Sequence, residues 1–102
     1  MNYYIYILFS ESTDKTYIGY TSDFNKRLLE HNTSVQNTFT SKYRPWVLKA
    51  VFKTGTNEAE AIVLERFLKS QKSKSLILKL IDPEFMPAAK LAQLVRVPHV
   101  RD

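Results

Sequence analysis

The run "YYIYILF" from Tyr3 to Phe9 is aromatic or aliphatic at every position, with no polar residue to mark a solvent face. That pattern predicts a strand apolar on both faces, hence buried or central in its sheet. Polar turn formers, "SESTD" at Ser10 to Asp14, separate it from "KTYIGY" at Lys15 to Tyr20. Two strands joined by so short a link predict an antiparallel hairpin. The spacing then changes: Ser22 stands where an N-cap accepts backbone amides, and Phe24, Leu28 and Leu29 give a short helix one apolar face. Arg27 and His31, four residues apart, fall on one flank of that helix.

"NTSVQNTFTSKY" from Asn32 to Tyr43 is polar and irregular, which predicts a loop. Pro45 precedes a third strand, "WVLKAVF" from Trp46 to Phe52, entering it where a missing amide does little harm. After a turn at Gly55, Asn57 with Glu60 three residues on resembles a capping box that opens a helix to about Ser70. "KSKSLILKLI" from Lys72 to Ile81 predicts another short helix with Leu76, Ile77 and Leu80 inward. No internal repeat or low-complexity tract interrupts the series. The order ββα-β-αα predicts an α+β fold: a small three-stranded antiparallel sheet flanked by helices.

Composition narrows the function classes. At 102 residues the chain suits a single core. It has no cysteine, which excludes disulfides and Cys-ligated metal centres, and its two histidines are too few for a His-rich cage. No apolar run approaches the roughly 18 residues a membrane span needs, and the N-terminus lacks a basic region followed by a hydrophobic one, so a cytosolic protein with no membrane partner is expected. The net charge is +5, and residues 1–81 carry all the surplus, with 12 Lys/Arg against 7 Asp/Glu; residues 82–102 carry 3 of each. A basic surface suits an anionic partner such as nucleic acid, since Lys and Arg release counterions from phosphates; ordinary solubility charge accounts for the same number.

One residue breaks the pattern of the second helix. Glu65 lies four after Ala61 and three before Leu68, so it projects from the stripe that should face the core. A carboxylate there needs something to offset its desolvation. A salt bridge to a lysine or arginine meets that need, and so does a hard divalent cation, since magnesium accepts one or two carboxylates plus waters and substrate phosphates.

"YIY" at Tyr4 to Tyr6, "YIG" at Tyr17 to Gly19, Arg27 and His31 on the next helix, and Glu65 on a later one together resemble the GIY-YIG nuclease superfamily. The likeness is greatest to its small single-domain bacterial members, related to the N-terminal nuclease domain of the repair protein UvrC. It covers about Asn2 to Ile81 and includes three separated blocks in the family's order, "IGYTSDFNKRLLEHN", "FTSKYRPWVL" and "EAIVLERFLKS".

The resemblance implies a metal-dependent endonuclease hydrolysing DNA phosphodiester bonds, with structure-specific or repair-related DNA as substrate and Mg²⁺ or Mn²⁺ as cofactor. Tyr6 and Tyr17 match the motif tyrosines on adjacent strands, one of which acts as general base directly or through water. Arg27 matches the arginine that balances charge on the phosphate, Glu65 the metal-binding glutamate, and His31 a helix position that often assists proton transfer. Gly19 matches the glycine that lets backbone and substrate approach closely. Lys42, Arg44, Lys69, Lys72 and Lys74 are the candidate nucleic-acid contacts, the last three clustering where a DNA backbone would run past Glu65. Tyr4 stands where the first motif has glycine, and Tyr20 where some members carry a lysine; Asp82 is the candidate for a polar residue that some contribute after the last helix. The competing expectations are a weak or inactive nucleic-acid-binding module of the same fold, and a protein-interaction adaptor.

The segment Asp82 to Asp102 lies beyond the resemblance. "DPEFMPAAKLAQLVRVPHVRD" changes character abruptly and reads either as translated cloning sites or as a natural extension in which Lys90 to Val97 forms a short amphipathic docking segment. The domain is therefore expected to span 1–81, with 82–102 as a tail.

Overall fold

The structure is a computed structural model and describes residues 1–33, 40–87, 91 and 94–98. Its elements are β1 (Tyr3–Ser10), β2 (Thr16–Thr21), α1 (Phe24–Thr33), β3 (Trp46–Gly55), α2 (Glu58–Ser70), α3 (Lys74–Ile81) and β4 (Val95–Arg96), with a 3-10 turn at Thr40–Tyr43 before β3. The antiparallel sheet runs β2-β1-β3-β4. The uniformly apolar β1 is thus a central strand, paired on both sides.

The expected three strands are four. β4 has only two residues, too few to show any alternation, and it lies in the tail. It pairs Phe52 with Arg96 and Lys53 with Val95, and the amide of Val97 donates to the carbonyl of Val51 at 2.8 Å. Arg96 lays its guanidinium 4.7 Å from the Phe52 ring centre and donates to the carbonyls of Leu80 and Asp82 at 2.9 and 2.8 Å. It thereby occupies carbonyls at the end of α3 that the helix itself leaves unpaired.

Helices cover both faces of the sheet. On one face Tyr6, Leu8, Trp46, Leu48 and Val51 pack with Phe24 and Leu28 of α1. On the other, Ile5, Ile7, Ala50 and Phe52 pack with Leu64 and Leu68 of α2 and Leu80 of α3, joined by Leu91 and Leu94 of the tail. A register shift in β3, where Ile7 faces Ala50 and Leu8 faces Leu48, leaves Lys49 as the extra residue. That bulge sends Leu48 and Ala50 to opposite faces, although two residues apart they would share one in a regular strand.

The helix starts follow side-chain capping, with one change. Asn57 Oδ1 accepts from the amides of Ala59 and Glu60 at 2.9 and 3.4 Å, as its spacing predicts. Ser73 caps α3 by accepting from the Leu76 amide at 3.1 Å, so α3 begins two residues later than Lys72. At α1 the cap is Asp23, whose Oδ1 accepts from the Lys26 amide at 3.0 Å, in place of the expected Ser22. The neighbouring Thr21 holds the Asp23 amide at 3.1 Å, which shifts the helix start by one residue. Leu29, expected on the apolar face of α1, is exposed. The predicted loop from Asn32 to Tyr43 keeps its ends as helix and 3-10 turn, while 34–39 lie outside the described residues. Of the expected Lys90–Val97 segment, 90, 92 and 93 lie outside them too.

Candidate active site

Pairing β1 with β2 sets Tyr6 opposite Gly19 and Leu8 opposite Tyr17. Tyr6, Tyr17 and Gly19 therefore share the sheet face that α1 covers. The Tyr6 ring takes the space over Gly19: a Cβ there would overlap the phenol oxygen and Cζ. In this structure it is a protein side chain that makes the close approach to Gly19.

α1 brings its charged flank onto the same face. The hydroxyl of Tyr6 and Nε2 of His31 lie 2.8 Å apart, and both residues are buried. The Tyr17 ring meets the His31 ring edge-on at 5.0 Å and the Tyr6 ring at 6.3 Å. Burial is the largest influence on each buried group. It raises the Tyr6 phenol well above its ordinary value, against the pull of Arg27, while Tyr17 and Glu65 push it further up. Burial also lowers His31 to about 4, helped by the charges of Arg27 and Arg44 and opposed by Glu30. The imidazole is thus neutral at neutral pH, and in the tautomer protonated at Nδ1 its Nε2 accepts a hydrogen bond from the Tyr6 hydroxyl. Arg27 loses some preference for charge to burial, but Tyr6 and Glu30 outweigh this and hold its guanidinium above the ordinary value. Its NH1 group pairs with Glu30 Oε1 at 3.2 Å.

The end of α1 is fastened to β3 by a side chain acting as backbone. Asn32 donates from Nδ2 to the Trp46 carbonyl at 3.0 Å and accepts at Oδ1 from the Trp46 amide at 2.7 Å, the two-bond exchange one strand residue makes with another. Arg44, half-buried, donates from Nε to the His31 carbonyl at 2.6 Å. It serves as a clasp behind the site, a role its candidacy as a nucleic-acid contact did not foresee. Lys42 is exposed on the 3-10 turn.

Glu65 reaches the site from α2, with its side chain 19% exposed. Lys69, one turn on, places Nζ 3.2 Å from Glu65 Oε1 and 5.0 Å from the Tyr17 ring centre. Beside Tyr17 opens a cleft of about 470 Å³ between the β1–β2 turn and the α2–α3 junction. Ile18, Leu68 and Ile77 line it, together with Lys69, Lys72 and Lys74. Lys15, a residue the sequence reading passed over, lines it as well. Its position was hidden because it sits at a strand entry, and only the fold brings that turn to α3. Tyr20 belongs to the other sheet face, where its hydroxyl donates to Glu58 Oε2 at 3.2 Å. The carboxylate of Asp82 accepts the Glu84 amide at 2.9 Å in the turn after α3.

No group of three or more His, Cys, Asp or Glu gathers as a metal cage among the described residues. The donor chemistry of Glu65 fits a different kind of site, a hard cation held by one carboxylate, waters and substrate phosphates.

A family model described as the GIY-YIG catalytic domain matches residues 2–77. Two similar curated proteins are UPF0213 proteins of Streptococcus pyogenes, one from serotype M5 (strain Manfredo) and one from serotype M1. Each is 36% identical over 73 residues, 71% of this chain and 76% of the relative. Among solved structures, the solution NMR structure of the UPF0213 protein BH0048 from Bacillus halodurans aligns over 85% of this chain and 89% of that one, with 26% identity and a TM-score of 0.49.

Proposed function

Because the chain belongs to the GIY-YIG family, we propose that it is a metal-dependent endonuclease hydrolysing DNA phosphodiester bonds, with branched or damaged DNA as its substrate. The observation that carries this reading is the 2.8 Å contact between Tyr6 and His31, with Tyr17 against the same imidazole and Arg27 acting on the same phenol. Two strands and a helix converge there on proton transfer beside a fixed positive charge.

The two tyrosines have different work. Tyr6 is buried and burial holds its proton, so it orients His31 and moves a proton only in concert with it. Tyr17 is half-buried and lines the cleft, so it is the phenol that a water beside a substrate phosphate reaches. Tyr17 takes the proton from the attacking water as its own phenolic proton passes to a second water in the open cleft, and the His31 ring, edge-on to it, holds the phenol in place. Arg27 balances the charge that grows on the phosphoryl oxygens. Glu65 would hold the cation, and Mg²⁺ or Mn²⁺ bound there would supply Lewis-acid stabilisation of the departing oxygen. Lys69, Lys72 and Lys74 carry the flanking phosphates along the cleft.

Cleavage of supercoiled and branched DNA with Mg²⁺ or Mn²⁺ tests this. Tyr17→Phe is expected to slow nicking by about 10²-fold or more, the usual worth of a general base, and Glu65→Ala to abolish it. Nicking that persists in both folded variants would sink the assignment and leave a nucleic-acid-binding module.

A further inference from the structure

Lys69 belongs to two places at once. Its ammonium pairs with Glu65 at 3.2 Å and lies over the Tyr17 ring, yet it also lines the cleft with Lys15, Lys72 and Lys74. The Glu65 side chain is 19% exposed, so its carboxylate needs a cation; that of Lys69 is 45% exposed on a flexible four-carbon stem, so its end swings at little cost. In the cleft the freed ammonium would join the three like charges of Lys15, Lys72 and Lys74, which outnumber the single carboxylate of Asp14 there. That repulsion keeps it on Glu65 unless an anion is present.

We propose that Lys69 is a movable counter-ion, holding Glu65 in the unloaded protein and passing to a substrate phosphate in the cleft when a divalent cation takes the carboxylate. The proposal rests on the nuclease reading, in which Glu65 holds the metal and the cleft holds nucleic acid. Each exchange supports the other: a phosphate in the cleft draws Lys69 off Glu65, and a cation at Glu65 releases it to the phosphate. Metal and substrate therefore bind with positive coupling.

Two titrations test it, with thermal melts to establish that each variant is folded. The first measures binding of a short labelled oligonucleotide in EDTA to the wild type, Glu65→Gln, Lys69→Met and the double variant. Glu65→Gln frees Lys69 without any metal and is expected to bind about two- to fivefold tighter than wild type, the worth of a part-exposed ion pair. The gain should vanish when Lys69 is methionine. An equal gain in both backgrounds is what plain loss of a negative charge gives, and it would overturn the exchange while leaving the nuclease reading intact. No binding by any of the four would overturn the nucleic-acid reading and the exchange with it. The second follows Mn²⁺ by electron paramagnetic resonance without DNA. Lys69→Met should bind roughly two- to fivefold tighter than wild type, and Lys72→Met, which removes the same charge from the next turn, should shift less. Equal shifts would overturn the exchange, and no Mn²⁺ binding in any variant would remove Glu65 as the metal ligand and the exchange with it.

Discussion

The smallest unit of this site is a glycine facing a tyrosine. Gly19 has no Cβ, so the Tyr6 phenol lies across β2 and reaches His31. Gly19→Ala should cost about 1–3 kcal/mol, the range for overpacking, and should lower nicking more than stability because it pushes the phenol off the imidazole. Urea unfolding beside a cleavage assay checks both halves, and full activity in the variant would contradict the packing argument. His31 makes a second prediction. Its folded value of about 4 lies below the unfolded value near 6.5, so between them the unfolded chain binds a proton that the native one does not. The stability held above pH 6.5 is therefore lost as the pH falls towards 4, by up to about 3 kcal/mol. Urea midpoints at a series of pH values should show this slope in the wild type and a shallower one in His31→Gln; identical slopes would refute it.

At the scale of elements, the site depends on fastening α1 to β3. Asn32→Ala removes both bonds to Trp46 and leaves a buried strand end unpaired, so a loss of about 1–3 kcal/mol is expected by denaturant titration. Asn32→Asp is informative beside it, because a carboxylate still accepts the amide but repels the carbonyl. Much at this scale was legible beforehand. The unbroken apolar run of β1 announced a central strand, Asn57 announced α2, and the joint spacing of Tyr6, Tyr17, Arg27, His31 and Glu65 announced the family. Other features were not, for physical reasons. β4 is two residues long and shows no period. The Lys49 bulge hides because the residues on either side of that lysine are all apolar and show no alternation to slip. His31 looks like surface on a polar helix flank until Tyr6 is known to face it, and nothing in the sequence places the Nε of Arg44 on the His31 carbonyl.

Over the whole molecule, charge and chain length divide the work. Lysines from β2's entry, α2 and α3 surround one cleft, so DNA binding should weaken steeply with salt. Lys72→Ala and Lys74→Ala should each reduce the slope of log affinity against log salt by about one, and unchanged slopes would place the phosphates elsewhere. The tail contributes packing: Leu94 is buried with Leu91 against Phe52 and Leu80, so Leu94→Ala should cost about 2–5 kcal/mol if residues 82–102 fold with the domain. A thermal melt unchanged by that substitution would return the domain boundary to Ile81. Finally, Tyr6 lies on β1, which is paired along most of its length on both edges. Its backbone amide can reach deuterium only when the sheet itself comes apart. Amide exchange at Tyr6 should accordingly fall in the slowest class of the chain and track global unfolding, while the exposed turn amides of Asp14 and Lys72, each held by a single local bond to Ser10 or Lys69, exchange sooner.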